Sequence, residues 1–281
     1  MKTPPVNPTA SATPEALREF LAACAAAARD AGRPQLVSIS MTVDSLDPLA
    51  VLESIFEPTE PHFYAERPAQ GFSVAGAETV LDFTASGAGR FAEAKAFIER
   101  TLADTIAVGP LDEPFAGPHF FFATGFSPDA VAGAPFPSLR VFVPRWQVAR
   151  MGDSTVAVAN LLLTAEAPVD LITAKVWKAH AKFGAFDYSH ARHKERPSAP
   201  RMAEEIGGAG SYQRAVRQAL GEIARGDYAK VVLARALKYT TAEEFHPISV
   251  LNHLRRRYPD CYSFSIANGR GQSFIGATPE R

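Results

Sequence analysis

The sequence predicts an α/β or α+β protein with mostly antiparallel sheets that helices cover on one face. Three observations lead to this prediction. The chain has 281 residues, of which 47% are hydrophobic and 21% charged, so it is long and apolar enough to bury a core. Short runs of aromatic and β-branched residues, bounded by Pro and Gly, are typical of strands. Between them, apolar residues recur at three- and four-residue steps, as in helices packed on a sheet.

The charge balance and the cysteine content narrow the class of protein. There are 29 basic and 30 acidic side chains, for a formal net charge of −1, so nothing indicates nucleic acid or an anionic membrane surface as a partner. The two cysteines, Cys24 and Cys261, have no CxxC spacing and favour a reducing cytoplasm over a disulfide framework or a thiolate zinc site. The apolar run Leu21–Ala28 is too short to span a bilayer and lacks the flanks of a signal peptide.

The first half of the chain alternates predicted helices and strands. Residues 1–13 are rich in Pro, Thr and Ala without periodicity, which predicts a disordered tail. The elements predicted next are a helix over Pro14–Ala31, a strand over Gln35–Val43, a short helix over Pro48–Phe56, and strands over His62–Glu66 and Gly71–Thr84. A further helix carries one apolar stripe that we expect on the sheet, formed by Phe91, Ala94, Ile98, Leu102 and Ile106. His119–Phe126 is too apolar for a solvent-facing strand and predicts a central one.

The clearest hairpin signal lies in the middle of the chain. The strands predicted over Leu139–Ala149 and Thr155–Thr164 flank Gly152-Asp153, which supplies the positive φ angles of a tight turn. Pro144 predicts a bulge or a sheet edge in the first of them. The elements predicted after this hairpin are a helix over Asp170–Phe183, a polar connector over His190–Arg201, a helix from the N-cap Ser211 to Gly226, a strand over Lys230–Thr241, a helix over Pro247–Arg257, and strands over Cys261–Ala267 and Gln272–Gly276.

Two polar stretches invite a functional interpretation that their surroundings weaken. Gly207–Gly210 directly precedes a helix N-terminus, where amides and the helix dipole hold anions. It matches neither the P-loop nor the dinucleotide pattern, which favours a flexible linker. His190 and His193 lie three residues apart, a spacing that suits a metal. No third ligand is close in sequence, and the basic neighbours favour a solvated connector.

Lys230 and Glu280 form a candidate acid/base pair. In the predicted strand, Lys230 shares its face with Val232 and Ala234, and an ammonium on an apolar face loses solvation and becomes a usable general base. Glu280 follows a strand and Pro279, where a carboxyl group is available as a proton donor. Spacing alone favours the ordinary alternative for both, a solvated lysine at a strand end and a turn glutamate, because most such side chains lie on the surface.

Three segments, in this order and spacing, resemble the chorismate-binding enzymes and most closely the isochorismate synthases: KVVLAR (Lys230–Arg235), CYSFSI (Cys261–Ile266) and FIGATPER (Phe274–Arg281). Residues 63–83, FYAERPAQGFSVAGAETVLDF, resemble N-terminal strands of the same family. The resemblance implies a large α/β structure of layered, mostly antiparallel sheets with peripheral helices. Residues 14–200 would be the N-terminal part of that fold, and residues 201–281 the beginning of the chorismate-binding catalytic region.

The resemblance also implies a Mg²⁺-dependent conversion of chorismate to isochorismate, in which water attacks C2 of the ring while the hydroxyl leaves C4. Lys230 takes the place of the family's general base, and Glu280 that of its general acid. Relatives that make anthranilate resemble this group but have a glutamine in place of the lysine, so Lys230 points to water rather than ammonia as the nucleophile. Salicylate synthases keep the lysine and remain the alternative within the family.

Members of the family continue beyond this motif with a segment that carries the magnesium-binding glutamates and most substrate contacts, whereas this chain stops at Arg281. We therefore expect a truncated protein, inactive alone, without metal ligands and without sheet partners for its last strand. The alternative outside enzymology is a non-catalytic fragment that acts as a binding module. We expect a monomer in the cytoplasm, with chorismate as its small-molecule partner and a role in menaquinone or siderophore biosynthesis.

Overall fold

The computed structural model describes Met1 and residues 13–55, 57–129, 132–183, 202–242 and 244–280. The chain divides into two compact units. Unit 1 comprises Met1–Arg192 and Pro247–Arg281, and unit 2 comprises His193–His246.

Unit 1 contains five α-helices and eleven strands among its described residues. The helices are α1 (Pro14–Ala31), α2 (Pro48–Ser54), α3 (Arg90–Asp104), α4 (Val169–Phe183) and, after unit 2, α6 (Pro247–Arg257). The strands are β1 (Gln35–Thr42), β2 (His62–Arg67), β3 (Phe72–Ala77), β4 (Leu81–Ala85), β5 (Ile106–Val108), β6 (Phe121–Thr124), β7 (Leu139–Val143), β8 (Trp146–Met151), β9 (Ser154–Leu163), β12 (Tyr262–Ala267) and β13 (Ser273–Thr278). In unit 2, β10 (Met202–Glu205) and β11 (Leu237–Thr240) flank α5 (Ser211–Ala224).

An eight-stranded sheet forms the centre of unit 1. Its strand order is β13-β12-β2-β3-β8-β9-β1-β5. Only the β1–β5 pair at one end is parallel, and the other neighbours run antiparallel. The predicted α/β architecture with mostly antiparallel sheets is therefore confirmed. β13 pairs with β12 along all six of its residues, so the expectation that the last strand lacks sheet partners is wrong for this side of the strand.

Helices cover one face of the large sheet in two groups. α1 and α4 bury Phe20, Leu21 and Val176 against Val37 and Leu161 of β1 and β9. α2 and α6 bury a second cluster on β2 and β3, which consists of Leu49, Leu52, Tyr64, Ala75, Ala77, Ile248 and Leu251. Alternation along each strand places these residues on the same side of the sheet. The two groups thus complete the helical layer that the apolar periodicity predicts.

A three-stranded sheet, in the order β4-β7-β6, packs on the opposite face. Phe121 and Phe142 lie in one cluster with Val74 and Ala149 of the large sheet. On the outer side of the small sheet, α3 packs Ala94 against Leu139, Val141 and Phe83. The unit is therefore layered as helices, large sheet, small sheet and helix.

Most predicted elements agree with the structure, and the predicted hairpin is confirmed. Met151 pairs with Ser154, and Gly152 in the turn has a φ of +58°. Pro144 does more than disturb one strand, because the chain changes sheets there: β7 lies in the small sheet and β8 in the large one. Proline has no N–H to donate, so the ladder cannot continue through it.

Two other predictions are wrong in detail. The strand predicted as central over His119–Phe126 shortens to β6, which lies at an edge of the small sheet and exposes 41% of Phe122. Its run of phenylalanines looks apolar on both sides, but alternation turns successive rings to opposite faces. Phe91 of the α3 stripe is 49% exposed, and Ala94, Phe97 and Ile98 supply the buried contacts.

The two strands of unit 2 pair antiparallel, from Met202 opposite Thr240 to Glu205 opposite Leu237. The N-cap of α5 is Gly210, with a φ of +76°, and not the predicted Ser211. The predicted connector over His190–Arg201, with His190 and His193, and nearly all of the predicted tail lie outside the described residues. Across the described ranges, no helix is long and apolar enough to cross a membrane.

Candidate active site

Lys230 lies in unit 2, in a segment without regular structure that follows α5. The strand predicted over Lys230–Thr241 is confirmed only as β11 (Leu237–Thr240), and its start at Lys230 is wrong. Among the described residues that follow α5, strand pairing starts only at Leu237. Lys230 is exposed, and Val232 exposes 82% of its surface. The apolar strand face that was to desolvate the Lys230 ammonium is therefore not formed, because a strand without a partner has no ladder to define its faces.

Contacts to β10 and α5 hold the end of this segment that lies farthest from Lys230. The N–H of Ile206 donates to the carbonyl of Ala236 at 3.1 Å. Nε of Arg235 lies 3.5 Å from Oε1 of Glu205, and its guanidinium lies 5.8 Å from the centre of the Tyr212 ring. The segment that contains Lys230 is thus attached to the start of α5 at Arg235 and Ala236.

Glu205 occupies the helix N-terminus that the sequence offers to an anion. Its carboxylate accepts hydrogen bonds from the N–H of Gly210 at 2.8 Å and of Tyr212 at 3.1 Å. The bond from Tyr212 is the main reason that the pKa of Glu205 lies below its ordinary value, with the Gly210 bond and the Arg235 charge adding to it against a cost of desolvation. Gly207–Gly210 is therefore the loop that brings a carboxylate of this chain onto its own helix.

Glu280 lies in unit 1, two residues after β13. Its side chain is exposed, and its N–H donates to the hydroxyl of Thr278 at 3.2 Å. On β13, Gly276 lies opposite Phe264 of β12, and a Cβ at position 276 would come within 2.5 Å of the Phe264 ring. The glycine of the GATPE motif thus lets an aromatic ring cross the last strand before Glu280.

The turn that joins β12 to β13 is tied to the small sheet. Nη1 of Arg140 donates to the carbonyl of Asn268 at 3.3 Å, and the Asn268 amide donates to the carbonyl of Pro135 at 2.9 Å. Oδ1 of Asn268 accepts the N–H of Arg270 at 2.8 Å. These bonds fix the hairpin that carries Glu280 to the rest of unit 1.

A cluster of charged and phenolic groups lies in unit 1 among α2, α6 and β2. Nη1 and Nη2 of Arg255 lie 2.9 and 2.7 Å from the two carboxylate oxygens of Asp47. Nη1 also lies 3.4 Å from Glu66, which accepts a hydrogen bond from the Tyr64 hydroxyl. Sequence analysis missed this cluster and the role of Glu205. Asp47 before Pro48 was readable as a helix cap, but its partner lies 208 residues away.

A cavity of about 690 Å³ lies in unit 1 over β3, β8 and β9, between α2 and α4. Its floor is apolar and includes Ala75, Val148 and Leu161, while Glu78 and Arg145 stand at its side. Neither Lys230 nor Glu280 lines it. The cavity therefore does not collect the predicted acid/base residues.

The structure places the two predicted catalytic residues in different units, Lys230 in unit 2 and Glu280 in unit 1. Their roles stay predictions. Among the described residues, no group of three or more His, Cys, Asp or Glu side chains is arranged to hold a metal ion.

Comparison with known proteins gives a match along most of the chain. A family model described as "Chorismate binding enzyme" matches residues 19–281. The salicylate biosynthesis isochorismate synthase of Pseudomonas aeruginosa is 27% identical over 254 residues, which cover 89% of this chain and 51% of that protein. The isochorismate synthase MenF of Bacillus subtilis is 26% identical over 270 residues, which cover 90% of this chain and 55% of that protein.

A solved structure supports the fold. The menaquinone-specific isochorismate synthase MenF of Escherichia coli superposes with a TM-score of 0.56 at 19% identity, covering 88% of this chain and 51% of that one. The chain thus spans about half the length of each of these three relatives.

Proposed function

The chain belongs to the chorismate-binding enzyme family, and from this membership we propose that it acts in the conversion of chorismate to isochorismate. The match over residues 19–281 carries the proposal, together with relatives that bear the name isochorismate synthase. Lys230 adds support, because a lysine at this point of the KVVLAR motif distinguishes the relatives that use water from those that use ammonia.

The proposed reaction needs one proton acceptor and one proton donor. The neutral amine of Lys230 takes a proton from water as the water oxygen bonds to C2 of the ring. The ring double bonds shift, the C4–O bond breaks, and the carboxylic acid of Glu280 gives its proton to the departing oxygen, which leaves as water. Water is a weak nucleophile without a base, and hydroxide is a poor leaving group without an acid, so both partners are required.

Magnesium enters the proposal through family membership. In the family, the cation offsets the carboxylate charge of the substrate. Among the described residues, no group of three or more His, Cys, Asp or Glu side chains is arranged to hold the cation.

The test is the formation of isochorismate from chorismate with Mg²⁺, followed by chromatography. The protein is assayed as residues 1–281 and, if the reading frame extends further, at its full encoded length. We expect isochorismate in at least one form, and a loss of at least a hundredfold in kcat for Lys230→Ala and for Glu280→Gln. Failure of both forms to convert chorismate would sink the proposal, as would full activity in either variant.

The same chromatogram decides between the proposed activity and its alternative within the family. Salicylate biosynthesis appears in the name of the Pseudomonas aeruginosa relative, and menaquinone in the description of the Escherichia coli MenF structure. A salicylate synthase would release salicylate and pyruvate, whereas the proposed enzyme stops at isochorismate. We propose isochorismate as the product, for menaquinone or siderophore supply.

A further inference from the structure

The segment between α5 and β11 has an anchor at each end and no strand ladder between them. At one end, the N–H of Asp227 donates to the carbonyl of Glu222 at 3.0 Å, and the Arg225 side chain pairs with the Asp227 carboxylate. At the other end, Arg235 reaches Glu205, and Ala236 accepts from Ile206. Lys230 lies between these anchors, so its position depends on both.

The chain between the anchors is longer than the distance it must cover. Glu222 and Tyr212 are ten residues apart on α5, which is about 15 Å along the helix axis. The eight residue steps from Asp227 to Arg235 reach up to about 27 Å when extended. Chain length alone therefore does not fix the path of the segment, and the contacts at its two ends restrict it.

At the anchor that contains Arg235, Glu205 does more than cap α5, because its carboxylate also contacts the Arg235 side chain. Its side chain is only 9% exposed. One carboxylate oxygen accepts the N–H of Gly210, and the other accepts the N–H of Tyr212 and faces Arg235. The guanidinium of Arg235 also lies over the Tyr212 ring. A single carboxylate thus joins β10, the first turn of α5 and the segment that contains Lys230.

We propose that Glu205 is a positioning residue for Lys230, and that it acts by locking Arg235 to the first turn of α5. This inference rests on the proposed role of Lys230 as the general base. Glu205 does not touch the reacting atoms. It limits the conformations of residues 230–236, so that the amine of Lys230 is presented in one place.

The first experiment measures the mobility of the segment and needs no turnover. A nitroxide is attached at Lys230→Cys in a Cys261→Ser background, and its rotational correlation time is read from the EPR line shape. We expect Glu205→Gln and Arg235→Gln each to shorten the correlation time at least twofold. Glu204→Gln is the matched control, because Glu204 is the exposed neighbour on the same strand, and it should leave the line shape unchanged.

The second experiment separates positioning from binding. In the form that converts chorismate, Glu205→Gln should lower kcat at least tenfold and leave KM within twofold, with Glu204→Gln unaffected. If circular dichroism shows that Glu205→Gln loses α5, Arg235→Gln decides, since it keeps the carboxylate on the helix.

The two experiments fail in different ways. Unchanged nitroxide mobility in both Glu205→Gln and Arg235→Gln would overturn the positioning role, whatever the activity. If the mobility changes but the protein does not convert chorismate, the anchor formed by Glu205 and Arg235 is supported and the proposed function is rejected. Altered mobility with an unchanged kcat would show that the anchor does not serve Lys230, and would also overturn the inference.

Discussion

Arg255 connects a helix cap to the sheet through one guanidinium group. The Asp47 side chain caps α2 by accepting the N–H of Leu49. Its two oxygens also accept hydrogen bonds from Nη1 and Nη2 of Arg255. Burial by itself raises the pKa of Asp47, but the hydrogen bond and charge of Arg255, with smaller contributions from Leu49 and Arg150, outweigh it, and the pKa lies below its ordinary value. Folding therefore favours the ionised carboxylate.

This sign gives the free energy of unfolding a defined dependence on pH. An aspartate in an unfolded chain has a pKa of about 3.9, and in the folded protein the pKa of Asp47 is lower. The stabilisation is complete above about pH 5 and is lost as the pH falls through the folded pKa. We predict that Asp47→Asn lowers the free energy of unfolding by about 2 kcal/mol at pH 7 and by much less at pH 3.

The measurement is urea unfolding of the wild type and of Asp47→Asn from pH 3 to pH 7. Asp44→Asn is the control, because Asp44 lies close by in sequence and is exposed. At pH 7 it should change the free energy of unfolding by less than about 0.5 kcal/mol, because surface substitutions of this kind cost little. Asn keeps a side-chain oxygen that can cap α2, so a constant difference for Asp47→Asn would show that the charge on Asp47 does not account for the effect.

At the scale of elements, the two sheets of unit 1 are joined by polar contacts as well as by the phenylalanine cluster. Nε and Nη2 of Arg140 each donate to an oxygen of Asp82 at 2.8 Å, across the β4–β7 pair. The third nitrogen, Nη1, donates to the carbonyl of Asn268, in the turn between β12 and β13 of the large sheet. Arg140 is only 8% exposed, so its guanidinium is shielded from bulk water, whereas the Asp82 side chain is 40% exposed.

We predict that Arg140→Lys lowers the free energy of unfolding by about 2 kcal/mol, because lysine keeps the charge but not the planar fork that serves Asp82 and Asn268 together. Arg145→Lys is the matched control. Arg145 makes a contact of 2.7 Å with Glu78 in which both side chains are about 40% exposed, and the change should cost less than about 0.5 kcal/mol. If urea unfolding shows equal losses of unfolding free energy in Arg140→Lys and Arg145→Lys, Arg140 does not have the proposed role of joining the two sheets.

The elements predicted well are those with local signals. Pro14 at the first helical turn and Gly32 after the last bound α1 as predicted, and Gly152-Asp153 set the β8–β9 hairpin. The elements that were predicted wrongly depend on contacts with distant parts of the chain. The segment 230–236 has the composition of a strand, but a strand also requires a partner, which composition does not supply. For the same reason, the edge position of β6 was missed.

The candidate site was predictable only as far as its motifs reach. Strand alternation and position make Lys230 and Glu280 a candidate pair, but only the resemblance of KVVLAR and GATPE to a family favours a catalytic role, which stays a prediction. Glu205 carries a local signal, an acidic residue just before a glycine loop and a helix, which agrees with the preference for negative charge at helix N-termini. The Arg255–Asp47 pair carries none, because contacts across 208 residues follow from the fold and not from spacing.

At the scale of the whole molecule, the two cysteines report on the integrity of unit 1. Cys24 of α1 is fully buried against Val37, Leu161 and Val176, residues that come from β1, β9 and α4. Burial raises the pKa of its thiol to about 12. Cys261 precedes β12 and is half-buried. The thiolate is the reactive form, so the two thiols should differ strongly in reactivity.

We predict that the native protein reacts with Ellman's reagent at pH 8 through one thiol, that of Cys261, and that Cys24 reacts only as the protein unfolds. Cys24 packs against elements that reach from β1 to α4, so it can be exposed only if α1 leaves the sheet. The labelling rate of Cys24 in urea should therefore equal the unfolding rate measured by circular dichroism. In Cys261→Ser, the fast phase should vanish and the slow one remain. A Cys24 rate much faster than unfolding would instead show that α1 detaches on its own, and that the layer of helices is not part of one cooperative unit.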